Sequence, residues 1–170
     1  MPEYTAKVYR KDNTVYLILI RGKRREYIHR CIGFVINGNE IKSIDGKVEA
    51  RLPFDVDPEI VIRALQTIGD WFIKRLSQGR GRIGYLTEIA IKHVVYMLCK
   101  EEKKKQGIKQ TECLKQSEVK TSRGKVTWKA IYQLYSNASD LEKSLSEPNY
   151  WEGELPEECT VQVSETSSDK

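Results

Sequence analysis

The chain has 170 residues, 31% of them charged, and a formal net charge of +5, which suits one domain or two small ones with a core that needs no staples. No apolar run approaches the roughly 18 residues of a membrane span, and the opening Met-Pro-Glu-Tyr-Thr has no apolar signal region, so a cytoplasmic protein without membrane partners is expected. The charge is uneven, with net +4 over residues 1–56, +8 over 57–136 and −7 over 137–170, and such a basic body favours a polyanion, of which nucleic acid is the commonest.

The first 55 residues read as β-structure. Tyr4–Arg10 alternates, Asp12-Asn13 marks a turn and Thr14–Ile20 is a β-rich run. Arg21-Gly22-Lys23-Arg24-Arg25 is a second, very basic turn before a strand over Glu26–Val35. Asn37-Gly38 is the strongest hairpin signal, because both residues tolerate positive φ. Glu40–Ile44 and Lys47–Leu52 complete a five-stranded antiparallel meander, joined at Asp45-Gly46.

Asp57-Pro58-Glu59 opens a helix, with Asp as cap and Pro in the first turn. Val61, Leu65, Ile68, Phe72 and Leu76 keep helical spacing through to Gln78. Gly79-Arg80-Gly81-Arg82-Ile83-Gly84 breaks it. A second helix is expected from Leu86 to Lys105, and shorter ones over Gln110–Glu118, Lys125–Ser136 and Ala138–Leu145. Tyr150-Trp151 and Thr160–Val163 could pair as a small hairpin in an acidic tail that is otherwise partly disordered. The fold class is therefore α+β: an antiparallel β-meander over 1–56, a helical region with a helix-turn-helix-like segment over 57–146, and an acidic tail over 147–170.

Residues 108–134 carry the clearest functional signal. Leu114 on one short helix and Val126, Ala130, Ile131 and Leu134 on the next would share a small core. Ser122 would cap the second helix and leave backbone N–H groups for phosphate. Arg123, Lys125, Thr127, Trp128 and Lys129 would then cluster at its start, where Arg reads guanine edges and Lys or Thr meets phosphate. The pattern Thr111-x-x-Leu114 … Ser122-Arg123-Gly124-Lys125-Val126-x-x-x-Ala130-Ile131-x-x-Leu134 resembles the winged helix-turn-helix family of DNA-binding domains. That resemblance implies a first helix over 86–105 and a wing over 149–163. The turn is longer than in that family, and the wing positions carry Glu152, Glu154, Glu157 and Glu158.

Two more basic segments could clamp a phosphate backbone: Arg21, Lys23, Arg24 and Arg25 in the β-turn, and Arg80 and Arg82 between the long helices. The N-terminal meander loosely resembles the arm-binding sheets of tyrosine-type integrases, but no catalytic integrase segment is present. Gly79-x-Gly81-x-x-Gly84 follows a helix rather than a strand, so a dinucleotide-binding reading fails on context. Glu40-x-Lys42, Glu118-x-Lys120 and Asp45 are fragments of a Mg²⁺-dependent nuclease site if they converge. His93 lies on an apolar helix face and reads as structural.

Cys31, Cys99, Cys113 and Cys159 form no Cys-x-x-Cys pair. They suit small buried thiols in a reducing compartment, with two disulfides as the alternative. His29, Cys31, His93 and Cys99 lack the short repeated spacing of a zinc site, so no metal or cofactor is expected. The function expected is non-catalytic nucleic-acid binding, with duplex DNA favoured, as in a regulator of transcription or of a mobile element. Its rivals are an assembly subunit using its basic face on an acidic partner and the nuclease. Association of two copies stays open, and the acidic tail is expected to compete with nucleic acid for the basic surface.

Overall fold

Alternating side chains in the first third become strands: β1 (Tyr4–Lys11), β2 (Thr14–Arg21), β3 (Tyr27–Asn37), β4 (Glu40–Ser43) and β5 (Glu49–Arg51). The computed structural model describes residues 3–22, 27–136, 151–152, 155 and 159. The five strands pair antiparallel in chain order, as the meander pattern requires. Asp12 turns the first hairpin at φ 53, a left-handed conformation that Asp tolerates better than most residues.

Helix α1 (Pro58–Ser77) starts where Asp57 Oδ1 accepts a hydrogen bond from Glu59 N at 3.0 Å. Arg10 Nη1 lies 3.5 Å from Glu59 Oε1, tying the helix start to the far end of β1. Further along, Gly69 lies directly on the sheet: a Cβ there would sit 2.7 Å from Leu17 Cδ1 and 3.0 Å from Ala6 Cβ. So α1 runs back along β1 and delivers its C-terminus to the end where β1 begins and β2 stops. A 3-10 turn (Ile83–Tyr85) leads into α2 (Leu86–Gln106). The two long helices cover one sheet face, where Leu17, Ile32, Phe34 and Ile41 share a buried cluster with Leu65, Ile68, Phe72 and Val94. Each such side chain contributes about 1.5–3 kcal/mol by leaving water. His93 belongs to the buried face of α2. Burial pushes its pKa down to about 3, and the charge of Lys100 acts in the same direction.

The chain departs from the sequence-based expectation after α2. Helix α3 (Gln110–Gln116) is followed by a hairpin, β6 (Glu118–Thr121) and β7 (Gly124–Val126), and only then by α4 (Trp128–Ser136). The segment read as the turn and the start of a second helix is thus β-structure. Its own alternation explains this: Val119 is buried while Glu118 and Lys120 are exposed, which is a period of two and not 3.6. Ser122 caps no helix. Thr127 does, its Oγ1 accepting from Ala130 N at 3.3 Å.

The hairpin extends the meander through Ala50↔Val119. Trp151–Glu152 forms β8, parallel to β1 at Tyr9 and Arg10. The sheet then has eight strands in the order β7-β6-β5-β4-β3-β2-β1-β8. Trp151 was expected to pair with Thr160–Val163; that segment and the expected helix over 138–145 lie outside the described residues.

The expectation of unpaired thiols is corrected too. Cys31 is bonded to Cys159, with Cα atoms 5.5 Å apart, and Cys99 to Cys113, at 5.4 Å. The second pair joins α3 to α2; the first holds Cys159 against β3 of the sheet. Among the described residues no helix is long and apolar enough to cross a membrane.

Candidate nucleic-acid interface

Strand register gathers basic residues from distant parts of the sequence at one end of the sheet. Tyr4, Arg21 and Tyr27 lie side by side where β1 begins, β2 stops and β3 begins. The end of α1 arrives at the same end, and the loop after it folds back on the last turns of α1 through Arg80 N and Arg75 O, leaving Arg80 and Arg82 exposed there. The β4–β5 turn with Lys47, the start of α2 and the tip of the β6–β7 hairpin arrive there too. Arg30, Lys47, Tyr85 and Arg123 line one cleft there. Arg21 lies 5.7 Å from the centre of the Tyr4 ring, and Tyr4 meets His29 edge-on at 5.5 Å. Burial lowers the pKa of His29, and the charges of Arg21 and Arg30 push it the same way. Arg21 and Arg30 thus both act on His29 as nearby positive charges. Tyr27, 52% exposed, adds an aromatic surface.

Of the residues singled out in the sequence, Arg21, Arg80, Arg82 and Arg123 converge on this end. Arg80 and Arg82 make no ion pair among the described residues, while Arg123 is engaged. Its Nη2 donates to Glu88 Oε2 at 2.5 Å, and its guanidinium lies 5.2 Å from the centre of the Tyr85 ring. That contact pins the hairpin tip to the start of α2. Lys23, Arg24 and Arg25 lie outside the described residues.

Lys125, Thr127, Trp128 and Lys129 do not join the arginines, because β7 carries the chain away from the tip. Lys125 is exposed opposite Lys120. Trp128 is half-buried, with Lys115 Nζ 5.0 Å and Lys129 Nζ 5.9 Å from its ring centre. Lys115, Trp128 and Lys129 make a second basic cluster on α3 and α4.

Sequence reading missed Arg30, Lys47 and Tyr85, and weighed His29 only as an isolated histidine or zinc ligand. One signal was available for Arg30. It shares the parity of Ile32 and Phe34, so a charge points to the helix side of the sheet. His29 is the extra residue of a bulge, since Leu19 pairs with Arg30 and Ile20 with Ile28.

The acids of the nuclease reading are only partly brought together. Glu40, Lys42, Glu49, Arg51, Glu118 and Lys120 line one shallow cleft of about 270 Å³ on the outer sheet face. Their order is a charge ladder. Arg51 stands between Glu40 and Glu118, and Glu49 between Lys42 and Lys120. Arg51 Nη2 bonds Glu40 Oε1 at 2.9 Å, and Lys120 Nζ lies 3.9 Å from Glu49 Oε1. Two carboxylates in one row are then two strand spacings apart, roughly 9–10 Å, with a cation between them. Asp45 lies apart from them, at the arginine-bearing end.

No family model, curated protein or solved structure matches the chain.

Proposed function

We propose that the protein binds nucleic acid without catalysis, meeting the phosphate backbone with the end of the sheet that carries Arg21, Arg80 and Arg82. The observation that supports this is their convergence, from a strand end and an inter-helix loop, beside the exposed Tyr27 and Tyr85. Arg guanidinium groups bond phosphate oxygens in pairs. Tyrosine rings offer stacking to any base. Contact with phosphates is independent of sequence, and with residues 124–126 in a strand the reading requires no recognition helix there. Duplex DNA is the favoured partner and the first probe.

The test is affinity against salt. Each neutralised phosphate of a duplex steepens the slope of log K against log salt by about 0.9, so Arg80→Ala with Arg82→Ala should flatten it by about 2 and weaken binding. A wild-type slope near zero overturns the proposal.

A second reading, an assembly subunit, is favoured by the sheet edge. Among the described strands β7 pairs only with β6, and an edge is a template for another strand. A dimer in sedimentation velocity that Lys125→Pro abolishes would favour it.

A further inference from the structure

The arginine-bearing end contains a cleft of about 220 Å³ between the β4–β5 turn, the start of α2 and the β6–β7 tip. Its acids are already occupied. Asp45 Oδ1 accepts from Ser43 Oγ at 2.5 Å and from Lys47 N at 3.0 Å. Glu88 accepts from Arg123. The cations left over are Arg30 and Lys47. Neither makes an ion pair among the described residues, and Arg30 Nε is buried with no hydrogen-bond partner. A buried donor without an acceptor is costly, and an anionic oxygen entering the cleft removes that cost. Arg30 also lines the narrow neighbouring recess that reaches Thr87 and Asp45. Tyr85, 40% exposed, stands at the same cleft.

We propose that this cleft takes the phosphate of a nucleotide, held by Arg30 and Lys47, with its base against Tyr85. The carboxylates of Asp45 and Glu88 beside it repel further phosphates. A monoester at a chain end, or on a free mononucleotide, fits better than a phosphate inside a continuous backbone. The inference deepens the nucleic-acid reading and rests on it.

The experiment compares fluorescence polarisation of one labelled DNA duplex carrying either a 5′-phosphate or a 5′-hydroxyl, with dAMP as competitor. The phosphorylated end should bind about tenfold tighter, the scale of one charge-assisted pairing. Lys47→Ala and Arg30→Lys should each lower that ratio at least threefold, and a circular dichroism melt checks that both variants fold. Displacement by dAMP at concentrations where deoxyadenosine has no effect supports the site and identifies a free mononucleotide as sufficient. Preference for the phosphorylated end without such displacement also supports it, and identifies the polymer end. Equal affinity for both ends, with the salt slope intact, overturns the cleft and leaves the backbone reading standing. Absence of binding to either duplex overturns both.

Discussion

The two faces of the sheet solve different problems. The middle of the inner face is apolar from β1 to β6, with Val8, Leu17, Phe34, Ile41, Ala50 and Val119 all in one cluster under the long helices and Arg10 and Arg30 nearer its two ends. The outer face is divided. Over β2 and β3 it carries Tyr16, Ile18, Ile20, Ile28 and Cys31, which pack with Leu155 and Cys159. Over β4, β5 and β6 it carries the ladder of Glu, Lys and Arg. An apolar surface must be covered, and Leu155 and Cys159 pack onto it; a ladder of alternating charge neutralises itself and can face water. At the join, Gly33 leaves room for both neighbours. A Cβ there would lie 2.4 Å from Ile44 Cδ1 and 2.8 Å from the Tyr16 ring.

Four measurements would sharpen or break this contrast. The largest effect belongs to the inner face: Phe34→Ala, at a fully buried position, should cost about 3–5 kcal/mol in urea unfolding. A loss below half of that would mean the face is poorly packed. Next is the cover of the outer face. Cys31 and Cys159 are 128 residues apart in sequence, so removing their bond by Cys31→Ser with Cys159→Ser should cost about 2–4 kcal/mol. Unchanged stability would show that the apolar outer face does not depend on Cys159 being held there.

The third effect is pH-dependent. The folded pKa of His93, about 3, lies below the unfolded value of roughly 6.5, so the unfolded chain binds the proton first on acidification. The contribution of neutral His93 is complete above pH 6.5. It falls by about 1.4 kcal/mol per pH unit towards pH 3. His93→Phe should flatten that part of the profile; a variant with the wild-type slope would rule His93 out as its source. The smallest effect is on the charged half. Arg51→Ala should change stability by no more than about 1 kcal/mol, and salt should reduce the difference. A larger loss would make the ladder a core element.

Period and punctuation made the first hundred residues legible. Asp57-Pro58, the turn signals and the two-residue alternation placed five strands and two long helices close to where they stand. Residues 118–126 failed because the hairpin is short. Lys125-Val126 preceded a helical pattern, and nothing local showed that Val119 would find Ala50 across the sheet. The basic end was half legible. Arg80 and Arg82 stood out as charges beside glycines, whereas Arg30 and Lys47 acquire meaning only from the register that brings β3, the β4–β5 turn and α2 together. The engagement of Arg123 by Glu88 joins residues 35 apart in sequence, a separation at which composition carries no information.

The strand order also has a consequence for synthesis. The meander is made first, but both of its borders are paired by later residues, β5 by β6 and β1, at Tyr9 and Arg10, by β8. A growing chain therefore exposes two unpaired strand borders until residues 118–126 and then 151–152 have emerged. Unpaired borders are where nascent chains stick to one another. The charged side chains of β5 and the lysines of β1 guard that interval, and a chain truncated before residue 118 would keep both borders open for good.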